Sequence, residues 1–128
     1  MKAALVLTAL LTSAPMCFAL TLGAATENLL YFEYASLASD HCEKQKVPTR
    51  PVLKAWQGQH EPLFRQSIEA VRTEGKRRGL ASEKEQDALL FEVLGMADKK
   101  AKEHIARKGV PCVKYGTFID GLATSFRR

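Results

Sequence analysis

Between Lys2 and Glu27 the sequence has no charged residue, and nowhere does it hold one of the short patterns that announce a catalytic centre. There is no Gly-x-Ser-x-Gly, no His-Glu-x-x-His and no phosphate-cradling glycine loop, which excludes the familiar serine-hydrolase, zinc-protease and nucleotide-binding arrangements. Cysteine is scarce: Cys17, Cys42 and Cys112 are the three, and none stands in a Cys-x-x-Cys pair. That spacing excludes covalent haem attachment and argues against a redox dithiol or a cysteine-rich zinc site. No segment alternates apolar and polar residues over a sustained run, so strands are not expected. Repeats and linker-like stretches are missing too, so a single domain is expected. The excess of positive charge, 19 Lys and Arg against 14 Asp and Glu, is too mild for a nucleic-acid footprint.

What stands in the uncharged opening is Leu, Val and Ala behind Lys2, then Pro15, then Cys17-Phe18-Ala19 with small residues three and one places before a cut. This is the pattern of a secretory signal peptide. It predicts cleavage after Ala19, with Ala25 as the second site, leaving residues 20–128 as one domain with a modest core. Two readings compete. The run from Ala3 to Ala25 also reaches the roughly 20 residues that span a bilayer as a helix, which would anchor the chain in a membrane. Cys17 would serve as a lipoprotein acylation site, although Ala14-Pro15-Met16 lacks the usual small residue beside the cysteine. The expected location is the periplasm or the exterior, and there the two cysteines outside the signal, Cys42 and Cys112, form one structural disulfide.

The apolar residues that follow recur at three- and four-residue steps and predict four helices. Helix one runs from Glu27 to about Cys42 and carries Leu30, Tyr34, Leu37 and His41, with Leu29 and Phe32 widening its stripe. Its segment Glu27-Asn-Leu-Leu-Tyr-Phe-Glu33 looks like a protease-cleavage tag at a glance, but the extra leucine and final glutamate spoil the match. Helix two begins at Pro51, where a missing amide hydrogen is harmless, and ends in Glu-Gly-Lys-Arg-Arg-Gly. Pro62 inside it predicts a kink near residues 58–62 or two helices in sequence. Helix three starts at a Ser82/Glu85 capping box and stops at Lys108-Gly109. Helix four follows Pro111 and presents Cys112, Tyr115, Phe118, Ile119, Leu122 and Phe126. The expected fold is all-α, a four-helix up-down bundle, which places Cys42 and Cys112 at the same end.

Three histidines, His41, His60 and His104, could meet a metal only with further ligands such as Glu43, Asp98 or Glu103, and no familiar ligand-pair spacing is present. Neither a metal nor a cofactor is expected, and no nucleophile is paired with a base. Glu61 beside Pro62 is expected at the surface. Trp56, the single tryptophan, fits the core face of helix two together with Phe32, Tyr31 and Phe118. With His60 it would form an interface or pocket if exposed.

Charge is the most informative signal. Lys44, Lys46, Arg50, Lys99, Lys100, Lys102, Arg107, Lys108 and Lys114 map to the disulfide end, against Asp40, Glu43, Asp98 and Glu103. Basic residues near helix C-termini complement the dipole, which accounts for helix three better than for the start of helix two. A basic pole of this kind suits an acidic protein partner or an anionic membrane surface.

In outline the chain resembles small disulfide-bearing helical proteins of the bacterial periplasm, among them immunity proteins that block secreted toxins and acid-activated chaperones, without the motif of any one family. The resemblance implies a non-catalytic binding protein acting through a protein interface, as an inhibitor or envelope accessory factor. A ligand or metal carrier with a pocket between helices two and three is the alternative.

Overall fold

The computed structural model describes residues 19–128, so the first 18 residues of the predicted signal, Cys17 among them, lie outside the described residues. Four α-helices and one 3-10 turn follow: α1 (Leu22–Lys44), α2 (Arg50–Arg77), α3 (Glu83–Lys108), the 3-10 turn (Cys112–Lys114) and α4 (Tyr115–Ala123). The described residues hold no strand. Among them no helix is long and apolar enough to cross a membrane.

Helix α1 starts at Leu22 rather than Glu27. The reason is a cap: Thr21 is extended, and its hydroxyl accepts from the Ala24 amide at 3.1 Å. Leu20 and Ala25 are then buried, so the small residues of this first turn belong to the core. At the other end α1 runs two residues past Cys42. It is stopped by Lys46, whose φ of 66° is uncommon for a side-chain-bearing residue, while the Val47 amide folds back onto the Cys42 carbonyl.

The start of α2 is held by α1. One carboxylate oxygen of Glu43 accepts from the amides of both Thr49 and Arg50, at 2.8 and 2.9 Å, and sits at the positive end of the helix dipole. Those two backbone bonds hold the Glu43 carboxyl below its usual range. Helix α2 is one unbroken element through Pro62, in place of two helices in sequence. Pro62 removes the amide that would bond the Gly58 carbonyl, and both residues are exposed, so water can reach the freed group.

Helix α3 begins as expected at Ser82, whose hydroxyl accepts from the Glu85 amide at 3.2 Å and donates to the Glu85 carboxylate at 2.9 Å. It ends at Gly109 with φ 67°, and Gly79, φ 91°, makes the turn that precedes it. After Pro111 the chain makes a 3-10 turn before becoming α-helical at Tyr115, and the helix stops at Ala123. Phe126 therefore reaches the core from the segment beyond α4 and not from the helix.

Cross-helix contacts give the directions. Ser39 meets Thr49 and Asn28 meets Ser67, so α1 and α2 are antiparallel. Tyr115 meets Ala35, and Arg127 meets Asn28, so α4 and the tail also run against α1. The bundle thus turns on α1, which packs against the other three helices. Cys42 and Cys112 are bonded, with Cα atoms 5.4 Å apart, joining the end of α1 to the 3-10 turn. Two apolar clusters fill the interior. One gathers Phe32, Trp56, Leu63, Tyr115, Ile119 and Phe126, and the other Ala25, Leu29, Val71, Leu90 and Val93.

Candidate functional site

The disulfide places the C-terminal end of α1, with Lys44 and Lys46, beside the chain that leaves α3 after Arg107 and Lys108, whereas Lys99 and Lys100 lie about two turns further back along α3, with Lys100 beside Leu22, Thr26 and Leu30 of α1. Lys44, Lys46, Arg50, Lys99, Lys100, Lys102, Arg107 and Lys108 are all exposed. Two of them are partly neutralised: Arg50 lies 3.5 Å from Asp40, and Lys102 lies 2.8 Å from Asp98. Glu43 is occupied in capping α2. Among the described residues the other six have no carboxylate within ion-pairing distance, whereas Arg65, Arg72 and Arg77 of α2 are each paired within their own part of the bundle.

Beside this pole, α3 and α4 leave a groove of about 390 Å³ over α1. Tyr34 lies at its base. Its ring meets His104 edge-on at 5.1 Å and Phe118 at 5.4 Å, and burial pushes its hydroxyl pKa up. Tyr31, Leu30 and Leu122 complete the apolar lining, and Lys100 and Arg107 stand on the α3 wall. The sequence pattern marked Leu30 and Tyr34 as stripe residues and Lys100 and Arg107 as part of the pole. It did not show that they meet, because that depends on how far α4 extends across α1.

On the other side of α1, a groove of about 550 Å³ opens between α2 and α3. Leu29, Phe32, Phe64 and Leu94 make it apolar, with Lys54, Gln57 and Glu61 along its α2 rim. Glu61 is exposed and holds Arg65 through two hydrogen bonds, as expected of a surface carboxylate. Glu33 also lines this groove, and its carboxyl is held above the usual range, first by burial and then by the charge of Asp98 across the α1/α3 seam, with Lys102 opposing.

Trp56 and His60 are not the walls of that groove. Trp56 is buried, 3% exposed, between Phe32 and Phe126, with ring centroids 5.4 and 5.7 Å away. His60 packs on Trp56 at 4.9 Å and on Phe126 at 5.2 Å, and burial lowers its pKa, with the positive charge of Arg128 adding to the effect. These residues serve the core beneath α2, and their exposed neighbours Gln57, Gly58 and Glu61 face the groove instead. His41 bonds Gln45 at 2.9 Å, whereas His60 packs on Trp56 and His104 on Tyr34, so the three histidines do not share a site. Among the described residues no group of three or more His, Cys, Asp or Glu side chains could hold a metal ion.

In comparison with known proteins, no protein-family model, no curated protein and no solved structure matches this chain.

Proposed function

We propose that this is an exported, non-catalytic binding protein that engages an acidic protein partner through its basic pole. The observation that carries the reading is the set Lys44, Lys46, Arg107 and Lys108, exposed within a few residues of the disulfide and continued along α3 by Lys99 and Lys100, all without a carboxylate partner among the described residues. Unpaired surface charge of one sign steers a complementary partner and raises its rate of encounter.

Export is supported by the charge-free opening with its Cys-Phe-Ala cleavage pattern and by a disulfide, a bond that persists in oxidising compartments. Cleavage after Ala19 spares the Thr21 cap and the buried Leu20 and Ala25, whereas cleavage after Ala25 would strip the first turn of α1. Periplasmic or secreted protein with a chain starting at Leu20 is the expected product. Its intact mass, measured after recovery from the native host, checks this. Recovery of the full-length chain in the membrane fraction would establish the anchored form instead.

The binding role is tested by affinity purification from envelope extracts with the wild type and with the triple variant Lys44→Glu, Lys46→Glu, Lys108→Glu. A partner retained by the first and lost by the second supports the reading. Repeated recovery of nothing, or equal retention by both, overturns it. An inhibitor of a secreted toxin and an accessory factor of envelope assembly are the two forms such a binder takes.

A second reading, carriage of an apolar ligand, is favoured by the groove of about 550 Å³ between α2 and α3. Native mass spectrometry of the host-derived protein discriminates, because a carrier retains its cargo.

A further inference from the structure

Two depressions meet along the α1/α3 seam. The groove with Tyr34 at its base adjoins a second of about 380 Å³, which lies between Leu22 and Thr26 of α1 and Met96 and Ala97 of α3. Leu30 and Lys100 line both, so the two form one trough. From Met96 to Arg107 it extends along α3 for about 16 Å, the length of three helical turns or of about five residues of extended chain.

We infer that this trough is the docking site for an acidic segment of the partner protein, one that sets an apolar side chain between two carboxylates. The inference rests on the protein-binding role proposed above and names where on the molecule, and by what chemistry, the partner is read. Lys100 and Arg107 stand two helical turns apart on α3, about 10 Å, both exposed and both without a carboxylate partner among the described residues. Between them the floor is aromatic: Tyr34, with Phe118 on one side and the edge of His104 on the other. Lys100 at the junction of the two depressions and Arg107 at one end, with the apolar floor between them, match a segment with acids flanking an apolar residue, spaced about three residues apart if extended.

The acidic residues of the trough do not cancel this. Glu27 is already engaged by Arg127 at 3.2 Å and by the Tyr31 hydroxyl at 3.1 Å, and Glu103 stands on the wall between Lys100 and Arg107, where it faces the apolar residue of the segment and not its two acids. A flat anionic bilayer fits less well. Membrane-surface binding needs apolar side chains that project beyond the basic residues, and in the trough Tyr34 is 8% exposed beneath them, while Met96, at 51%, is the one large apolar residue of its lining that stands out.

The test pans a random dodecapeptide library on the intact, disulfide-bonded protein and measures the selected peptides by fluorescence anisotropy. The enriched peptides should carry two Asp or Glu residues around an aromatic or branched apolar one. They should bind the wild type at least tenfold more tightly than Lys100→Glu/Arg107→Glu. Met96→Glu, a surface change, should weaken binding severalfold, and Lys76→Glu/Lys84→Glu, a charge reversal of the same size at exposed residues outside the trough and the pole, should leave it within threefold. Circular dichroism of each variant establishes that the fold is kept.

No enrichment, or equal binding by the Lys100/Arg107 variant, overturns the inference. So does binding of wild type, but not that variant, to phosphatidylglycerol vesicles in the absence of any selected peptide. If the envelope partner depends on Lys44, Lys46 and Lys108 while Lys100 and Arg107 are dispensable, the protein-binding role stands and the trough assignment falls.

Discussion

The side-chain amide of Asn28, in the first half of α1, pairs with the main chain of Arg127 in both directions: its oxygen accepts from the Arg127 amide and its nitrogen donates to the Arg127 carbonyl, each at 2.7 Å. The carboxamide is fully buried and acts as a piece of backbone, giving the C-terminal segment the partners that a neighbouring strand would give. Replacing it by alanine leaves main-chain groups beside the core unpaired, and the expected cost is about 1–3 kcal/mol. Urea titration of Asn28→Ala measures it. Asn28→Asp keeps the acceptor but sets a carboxylate against the Arg127 carbonyl, so it should destabilise at neutral pH and recover part of the loss in acid.

The bond between Cys42 and Cys112 closes a loop with a sequence separation of 70 residues. In the chain-entropy account that constraint contributes about 4 kcal/mol, a large share of the roughly 5–15 kcal/mol by which domains are stable. Reductant, or the pair Cys42→Ser/Cys112→Ser, should move the urea midpoint down sharply or leave the chain unfolded. A denaturation curve that reductant does not shift would contradict this.

Glu33 and Asp98 place two carboxyl groups together across the α1/α3 seam, and burial with the Asp98 charge raises the Glu33 pKa. A raised carboxyl pKa means that the folded state holds the proton more tightly than the unfolded chain does. The associated stability is present below the unfolded pKa and is lost as pH rises through the folded one. Ionising Glu33 beside Asp98 therefore costs stability. Glu33→Gln should raise the melting temperature at neutral pH, and the gain should shrink as the wild type becomes protonated in acid.

Tyr115 titrates at the opposite end of the scale. Its hydroxyl donates to the Ala35 carbonyl at 2.7 Å, and burial pushes its pKa from 10.0 up to about 12. The unfolded chain ionises first, so this contribution is complete below about pH 10 and falls away between there and about 12. Stability measured across that window should decline in the wild type, and Tyr115→Phe should remove the part of the slope that belongs to this group.

Trp56 is buried, and its indole nitrogen has no hydrogen-bond partner among the described residues. An unpaired buried donor detracts from stability, so Trp56→Phe removes a penalty along with some packing. It should cost clearly less than Trp56→Ala, for which about 3–5 kcal/mol is expected from the cavity. Thermal melts of the two variants decide the order.

The helices were legible because their signals are local: the Ser82 cap, the Gly109 stop, Pro51 in a first turn and the three- and four-residue apolar steps each depend on a few neighbouring residues. The disulfide followed from having two cysteines outside the expected signal segment and one way to join them. What escaped notice depends on contacts far apart in the chain. Asn28 occupies a core position one turn before Phe32, but its partner lies 99 residues away. Phe126 read as one more step of a helical stripe, although α4 stops at Ala123 and the tail carries the ring inward. Trp56 and His60 were separated from the groove by the rotation of α2 about its own axis, which periodicity fixes only to within a residue. That Lys100 and Arg107 stand beside Tyr34 and Phe118 could not be read from helix ends, because it needed the placement of α4.

Phe126 stands two places before the last residue and stacks on Phe32, with centroids 4.9 Å apart. The ring that covers Phe32 and Trp56 is thus carried by a strap beyond α4, and whatever frees that strap uncovers the aromatic cluster of α1 and α2 to water.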